Sequence, residues 1–324
     1  MLGYLSRAVP LENLLEREAE EDRLFAQRVG NIRRYAIDEL GLAASKNYTR
    51  YVELDRNYLA AVVSASARDS FTTHLWWFPI VGRLPYKGFF NPEDARREAA
   101  RLERRDLDVW IRSVDAFSTL GWFRDPLFSF MKNYSEIRLA ELIIHELFHA
   151  TVFLNGHVQF NEELATFVGI LGSRLYMEKM YGESWEEYVD QAAEEDFTVF
   201  LSFVHGLIAE LEELYNSNIS YDEKMINREI IIRTAQRNFL FNYDDNFKTE
   251  NFRGFGNMEI NNAYLDLFRL YYEQDMYFFN LFERTSKDLG EFIRAAKTLN
   301  RSGSLRRGRG NPREELEMAL GLGN

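Results

Sequence analysis

Along much of the chain, apolar positions fall three and four residues apart with charged residues between them, the period of helices that bury one face. Residues 10–64 carry this pattern and are predicted to be helical. Pro10 leads into Leu11, Leu14 and Leu15, and a charged amphipathic stretch runs through Ile32 and Ile37 to Leu40, with Gly41 as the expected stop. Within that region, Tyr58 to Ser64 also fits a strand. The segment Trp76 to Phe90 sets two Pro and two Gly among aromatics, which predicts a packed irregular loop or a broken strand. Asn91 and Pro92 open a helix to about Arg105, as N-cap and first helical residue. Asp108 to Gly121 is the clearest strand. Helices are predicted over 135–154 and 160–181, joined by a turn at Asn155-Gly156. Beyond Glu183 the pattern is helical, with breaks at Asn216-Ser217-Asn218 and across 242–257. Together these elements describe a mainly α, α+β fold with one small sheet. They form a single unit over 1–324: N-terminal helices and sheet to about 130, a helix pair over 131–182, and a helical part from 183 onward.

Composition narrows what such a fold could do. The net charge of −12 argues against a nucleic-acid partner, because phosphate binding calls for a basic surface. The one strongly basic run, Arg301 to Arg313, is read as a short solvated end. With no cysteine, thiolate metal sites and cysteine nucleophiles are excluded, so any metal would rest on His, Asp or Glu. No apolar run reaches the roughly 18–20 residues a membrane span requires. Met1 to Arg7 shows no apolar leader, so a soluble chain is expected. The 26 Phe and 17 Tyr follow the helical pattern and are read first as core.

Candidate chemistry concentrates at His145-Glu146-Leu147-Phe148-His149, inside the helix that begins near Ser135. Four residues advance a helix by just over one turn, so both imidazoles leave the same face and can share one cation. Glu146 points aside, toward a water rather than a metal. Leu139, Ile143, Ile144, Leu147, Phe148 and Val152 are the residues that would bury and stiffen this helix. A zinc site takes a third protein ligand and leaves a fourth position open. Glu162, early in the next helix, suits that role better than Glu163, which falls about 100° away around the helix. His157, in the connecting turn, is a competitor. His74 and His205 are read as ordinary core or surface histidines.

Glu162 lies thirteen residues after His149, and the run Phe160-Asn161-Glu162 at that spacing resembles the gluzincin metallopeptidases. More closely, the chain resembles the bacterial "predicted aminopeptidase" family, nearly end to end. The resemblance rests on Phe78-Pro79-Ile80-Val81-Gly82, Pro85-Tyr86-Lys87-Gly88-Phe89-Phe90, and Ser118-Thr119-Leu120-Gly121-Trp122-Phe123-Arg124-Asp125-Pro126-Leu127. It continues through the His-Glu-x-x-His helix, Asn161-Glu162-Glu163-Leu164-Ala165 and Asn261-Asn262-Ala263-Tyr264-Leu265. It implies a gluzincin-like core with a small sheet beside the motif helix, and one Zn2+ per chain on His145, His149 and Glu162. It also implies an envelope location, since members usually begin with an export or lipoprotein leader that this sequence does not show. Arg83 and Phe117 depart from the family pattern, the latter removing a hydroxyl.

On this reading Glu146 takes a proton from the attacking water and delivers it to the leaving amine of a peptide substrate. A second electrophile for the oxyanion would be a Tyr, with Tyr271 and Tyr86 the named candidates and Tyr264 and Tyr272 beside them. Thr119, Leu120 and Gly121 are the expected strand edge for pairing a peptide backbone. Between Ala116 and Phe123 no carboxylate is available to hold a free ammonium; Asp115 and Asp125 are the nearest. Three readings therefore stay open: a zinc peptidase of aminopeptidase type, a zinc amidase or endopeptidase acting on cell-envelope peptides, and a non-catalytic zinc-containing peptide-binding protein.

Overall fold

The computed structural model describes residues 7–78, 82–114, 126–272, 275–305 and 310–323, with backbone only for residues 158, 270–272 and 275–276. In chain order the strands are β1 (Val9–Pro10), β2 (Arg50–Val52), β3 (Ala60–Ala67), β4 (Trp76–Phe78), β5 (Gly82–Leu84), β6 (Tyr86–Phe89), β7 (Leu107–Val114) and β8 (Leu127–Phe128). The helices are α1 (Glu20–Asp38), α2 (Pro92–Glu103), α3 (Glu136–His149), α4 (Val158–Tyr181), α5 (Gln191–Asn216), α6 (Tyr221–Phe241), α7 (Tyr243–Asn246), α8 (Asn262–Tyr272), α9 (Asp275–Glu283), α10 (Leu289–Leu299) and α11 (Pro312–Ala319). The mainly α, α+β class holds.

The sheet content is richer than the sequence pattern predicts. Among the described residues the strands form three small sheets, ordered β1-β2-β8, β6-β3-β7 and β4-β5. Helix therefore does not run through residues 10–64: α1 ends at Asp38, and β2 and β3 follow. The alternative of a strand over Tyr58–Ser64 is borne out by β3, and the helical reading competed there because this strand is buried on both faces. Its sequence, Ala-Ala-Val-Val-Ser-Ala-Ser-Ala, shows a run of small residues instead of alternation. It pairs antiparallel with β7 over its full length, from Ala60 opposite Val114 to Ala67 opposite Leu107, and with β6 from Ala61 opposite Phe89 to Ser64 opposite Tyr86. Of the two alternatives for Trp76–Phe90, the broken strand is the one borne out, the described residues forming β4, β5 and β6.

Two helices sandwich the central sheet. Helix α2, capped by the Asn91 side chain accepting from Glu93 N, lays Ala95 and Leu102 against Ala61, Val63 and Ala65. Helix α8 packs on β3 and β7 and also on α4, which connects the sheet to the helices carrying the motif. Polar side chains fasten α8. Asp108 of β7 accepts from Asn262 N at 2.9 Å and pairs with Arg228 of α6, while Asn262 Nδ2 donates to Ala67 O at 2.9 Å and Tyr215 Oη donates to Asn262 Oδ1 at 2.8 Å. The Asn261-Asn262 motif thus ties helix to sheet.

On the opposite side of the sheet, Glu98 accepts from Trp76 Nε1 at 2.8 Å and from Arg101 at 2.9 Å. Arg101 foremost, with the indole and Lys87 assisting against burial, lowers the Glu98 carboxyl to about 2. A carboxyl whose folded pKa is depressed adds stability that is complete above its unfolded value and is lost as pH falls toward the folded one. Unfolding free energy should therefore decline between about pH 5 and pH 2 by more in the native chain than in Glu98→Gln. Denaturant titrations at several pH values would show it, and parallel pH profiles would rule the pair out as a contributor.

The largest apolar core unites distant parts of the sequence. Residues of α1, α3, α4, α9, α10 and α11 share one cluster, with Phe25, Ile32, Ile144, Phe148, Phe167, Phe292 and Leu316 all fully or almost fully buried. A second cluster, rich in Phe, joins α5 to α8.

Candidate metal centre

Helix α3 begins where Ser135 caps it, its hydroxyl accepting from Arg138 N. It ends at His149, five residues short of the expected boundary at 154. Leu139, Ala140, Ile143, Ile144, Leu147 and Phe148 are at most 1% exposed. Burial of the larger of these is worth roughly 1.5–3 kcal/mol each, so the helix is held rigidly in place. The chain then turns through Gly156, whose φ of 82° suits glycine, and α4 returns antiparallel.

Hydrogen bonds at both ends of this helix pair set its register. At the far end, Tyr176 Oη and Tyr181 Oη each donate to the Glu136 carboxylate at 2.7 Å. At the near end, Asn161 Nδ2 donates to Leu154 O at 2.9 Å and its Oδ1 accepts from Leu154 N at 3.0 Å. Between them the helices approach closely across two glycines. A Cβ on Gly169 would lie 3.1 Å from both Glu141 O and His145 Cβ, and one on Gly172 would lie 3.1 Å from Ile144 Cγ2. Gly169→Ala must therefore push α4 away from the backbone that carries His145. A stability loss of about 1–3 kcal/mol is expected, together with weaker metal binding, readable as a lower Tm and a raised zinc Kd. An unchanged Kd would show that the close contact does not govern the site.

This register brings three side chains to one point. Nε2 of His145 and of His149 lie 3.1 Å apart, and Glu162 Oε2 lies 3.6 Å from each. Among the described residues these three form the group whose ligand atoms converge, all within 4.8 Å of one another. Donors about 2.0–2.1 Å from a tetrahedral zinc stand about 3.3 Å apart, so the triangle has the size a zinc needs. Two nitrogens and one oxygen also suit zinc better than calcium, which takes six or more oxygens. The His149 side chain is 1% exposed, while those of His145 and Glu162 keep 20% and 27%, so the group opens on one side. Glu146, buried, leaves α3 next to His145. Burial acts to raise the Glu162 carboxyl, but the imidazoles of His149 and His145 outweigh it and hold the group below the usual carboxylate range.

The neighbouring candidates are placed elsewhere. Glu163 turns away from the histidines and, 3% exposed, receives Arg313 Nη2 at 2.8 Å. Burial raises its carboxyl and Arg313 opposes the shift. Arg313 itself corrects the expectation of a solvated basic end, because the last residue of that run is docked against the helix pair. His157 is the N-cap residue of α4 and stays outside the converging group. Tyr86 begins β6 and lines a small cleft with Ser64, Thr73 and Asp266, on the sheet and α8 rather than on α3 and α4. Tyr264 packs edge-on against Trp110 at 4.8 Å within the aromatic core, and burial pushes its hydroxyl up to about 12. Tyr271 belongs to α8, with its side chain outside the description. Thr119, Leu120 and Gly121, with Asp115, Asp125 and Phe117, lie outside the described residues. Sequence reasoning missed Gly169, Gly172 and Arg313. A small-residue pair three apart in α4 was the available signal for the glycines; Arg313 offered none.

No helix among the described residues is long and apolar enough to cross a membrane. A family model described as "putative aminopeptidase" matches residues 1–309. No curated protein and no solved structure matches the chain.

Proposed function

Because this chain belongs to the "putative aminopeptidase" family, we propose that it hydrolyses peptide bonds at a zinc held by His145, His149 and Glu162, with Glu146 as general base. The observation that carries the reading is the triangle of donor atoms with edges of 3.1, 3.6 and 3.6 Å on two packed helices. Zinc bound there supplies a Lewis acid that lowers the pKa of a water toward ~7 and polarises the scissile carbonyl. The protein supplies the rest. His149 and His145 fix the geometry from a buried helix, and Glu162 adds a negative charge from the second helix. Glu146 accepts the proton of the attacking water and returns it to the leaving amine, one group serving as base and then acid. The open side of the group, at His145 and Glu162, is where a peptide enters. Thr119, Leu120 and Gly121 keep the role of peptide-pairing edge in this reading, and Tyr271 that of oxyanion donor, while Tyr86 lines the cleft between the sheet and α8.

Metal content, thermal stability and peptide cleavage, measured on one preparation, test the proposal. One zinc per chain is expected. Zinc at a hundred times its Kd should stabilise the fold by about 2.7 kcal/mol, and a chelator should reverse this. Peptides with free amino termini should be trimmed and their N-acetylated counterparts spared. Equal cleavage of both would make the enzyme an endopeptidase or amidase. Zinc without cleavage would leave a binding protein, and a Tm indifferent to zinc and chelator would end the metal reading.

A further inference from the structure

The C-terminal helix α11 reaches back to the first turn of α4, the turn that carries Glu162. Arg313 Nη2 donates to Glu163 Oε2 at 2.8 Å, and its guanidinium lies over the Tyr277 ring of α9 at 4.4 Å from the centroid. Tyr277 Oη donates to Glu317 Oε1 at 2.9 Å, closing the contact from the other side. Buried Pro312 and Leu316 seat the helix, and Asn311 caps it, its Oδ1 accepting from Arg313 N at 3.0 Å. Asn300, just past α10, grips the start of the connection between α3 and α4, donating to Thr151 O at 2.8 Å and accepting from Phe153 N at 3.2 Å. Three consecutive residues of α4 thus have separate assignments set by their angles around the helix. Asn161 is fixed to the connection, Glu162 faces the histidines, and Glu163 is fixed to Arg313. The family match covers Glu163 and ends at residue 309, before Arg313.

We propose that Arg313 is a positioning residue for the metal centre, holding Glu163 and thereby the rotation of the first turn of α4 that aims Glu162 at His145 and His149. The proposal rests on the zinc reading above. Its physical basis is the asymmetry of a buried ion pair: without Arg313, Glu163 is a buried carboxylate lacking its cation, a cost relieved when the turn moves to expose it to water. A turn that rotates to hydrate Glu163 carries Glu162 with it. Coupling of this kind is reciprocal, so zinc should also tighten the docking of α11.

Two measurements on the full-length protein test this. In the first, zinc affinity is read by competition with a chelating dye in Arg313→Ala, in Arg313→Lys, and in Asn262→Ala, a variant destabilised where α8 is fastened to the sheet. Arg313→Ala should weaken zinc binding about tenfold or more, as loss of a group that orients a ligand does. Arg313→Lys should restore part of the loss, and Asn262→Ala should lower Tm while leaving zinc affinity near that of the native chain. In the second, hydrogen exchange over Pro312–Ala319 should slow on adding zinc in the native chain and not in Glu162→Gln. Native zinc affinity in Arg313→Ala would overturn the proposal while leaving the metal centre intact, as would an equal loss in Asn262→Ala or exchange in α11 that ignores zinc. Failure of the native chain itself to bind zinc would remove the metal reading and the proposal with it.

Discussion

Glu146→Gln should lower peptide hydrolysis on the order of a thousandfold while leaving one zinc bound per chain. Gln matches Glu in size, and position 146 is buried on a helix whose apolar face sets its place, so the substitution changes charge and basicity with little change in packing. A group that takes and returns a proton contributes roughly 10²–10⁴ to such reactions, and Gln can do neither. The loss should fall on kcat, because Glu146 acts on the attacking water and leaving amine rather than on binding. Metal content, zinc-dependent Tm and KM should all stay near native values. A variant that retained native kcat would disprove the base assignment. One that lost zinc would show Glu146 to be part of the metal's support instead.

That prediction uses residues legible in the sequence, and the reason they were legible is geometric. His145, Glu146 and His149 lie within five residues, where helical periodicity alone fixes their relative directions. Glu162 was legible at one remove, through the apolar positions of α4 that distinguish its direction from that of Glu163. Gly169 and Arg313 show where such reasoning ends. The value of Gly169 depends on which backbone passes opposite it, and Arg313 finds Glu163 across 150 positions of sequence, through a core assembled from both ends of the chain. The fold divides in the same way. Helices with one buried face announced themselves by period, and Asn91-Pro92 by local capping chemistry. Strand β3 was legible only in part, as the Tyr58–Ser64 stretch that also fits a strand, because a strand covered by helices on both faces loses the alternation that would mark it.

Glu162→Gln should be as damaging to activity as loss of the base, by a different route. The triangle of Nε2, Nε2 and Oε2 contains one formal negative charge, and it belongs to Glu162. Gln keeps the length of the side chain but offers a neutral oxygen, and its amide N–H groups repel a cation when turned toward the histidines. Zinc affinity should drop by about a hundredfold or more, a magnitude in keeping with loss of a ligand when mere support groups cost 10- to 100-fold. Hydrolysis at limiting zinc should disappear and return in part at high zinc, and the stabilisation of Tm by zinc should shift to correspondingly higher concentration. Glu163→Gln supplies the contrast at the adjacent position. It leaves all three ligand atoms in place and removes only the charge that Arg313 meets, so its loss of zinc affinity should be nearer tenfold, the size expected of a support. If the two variants were equally impaired, the distinction between ligand and support in the first turn of α4 would collapse. If Glu163→Gln were the worse, the third ligand would have to be reassigned to the residue that α4 turns away from the histidines.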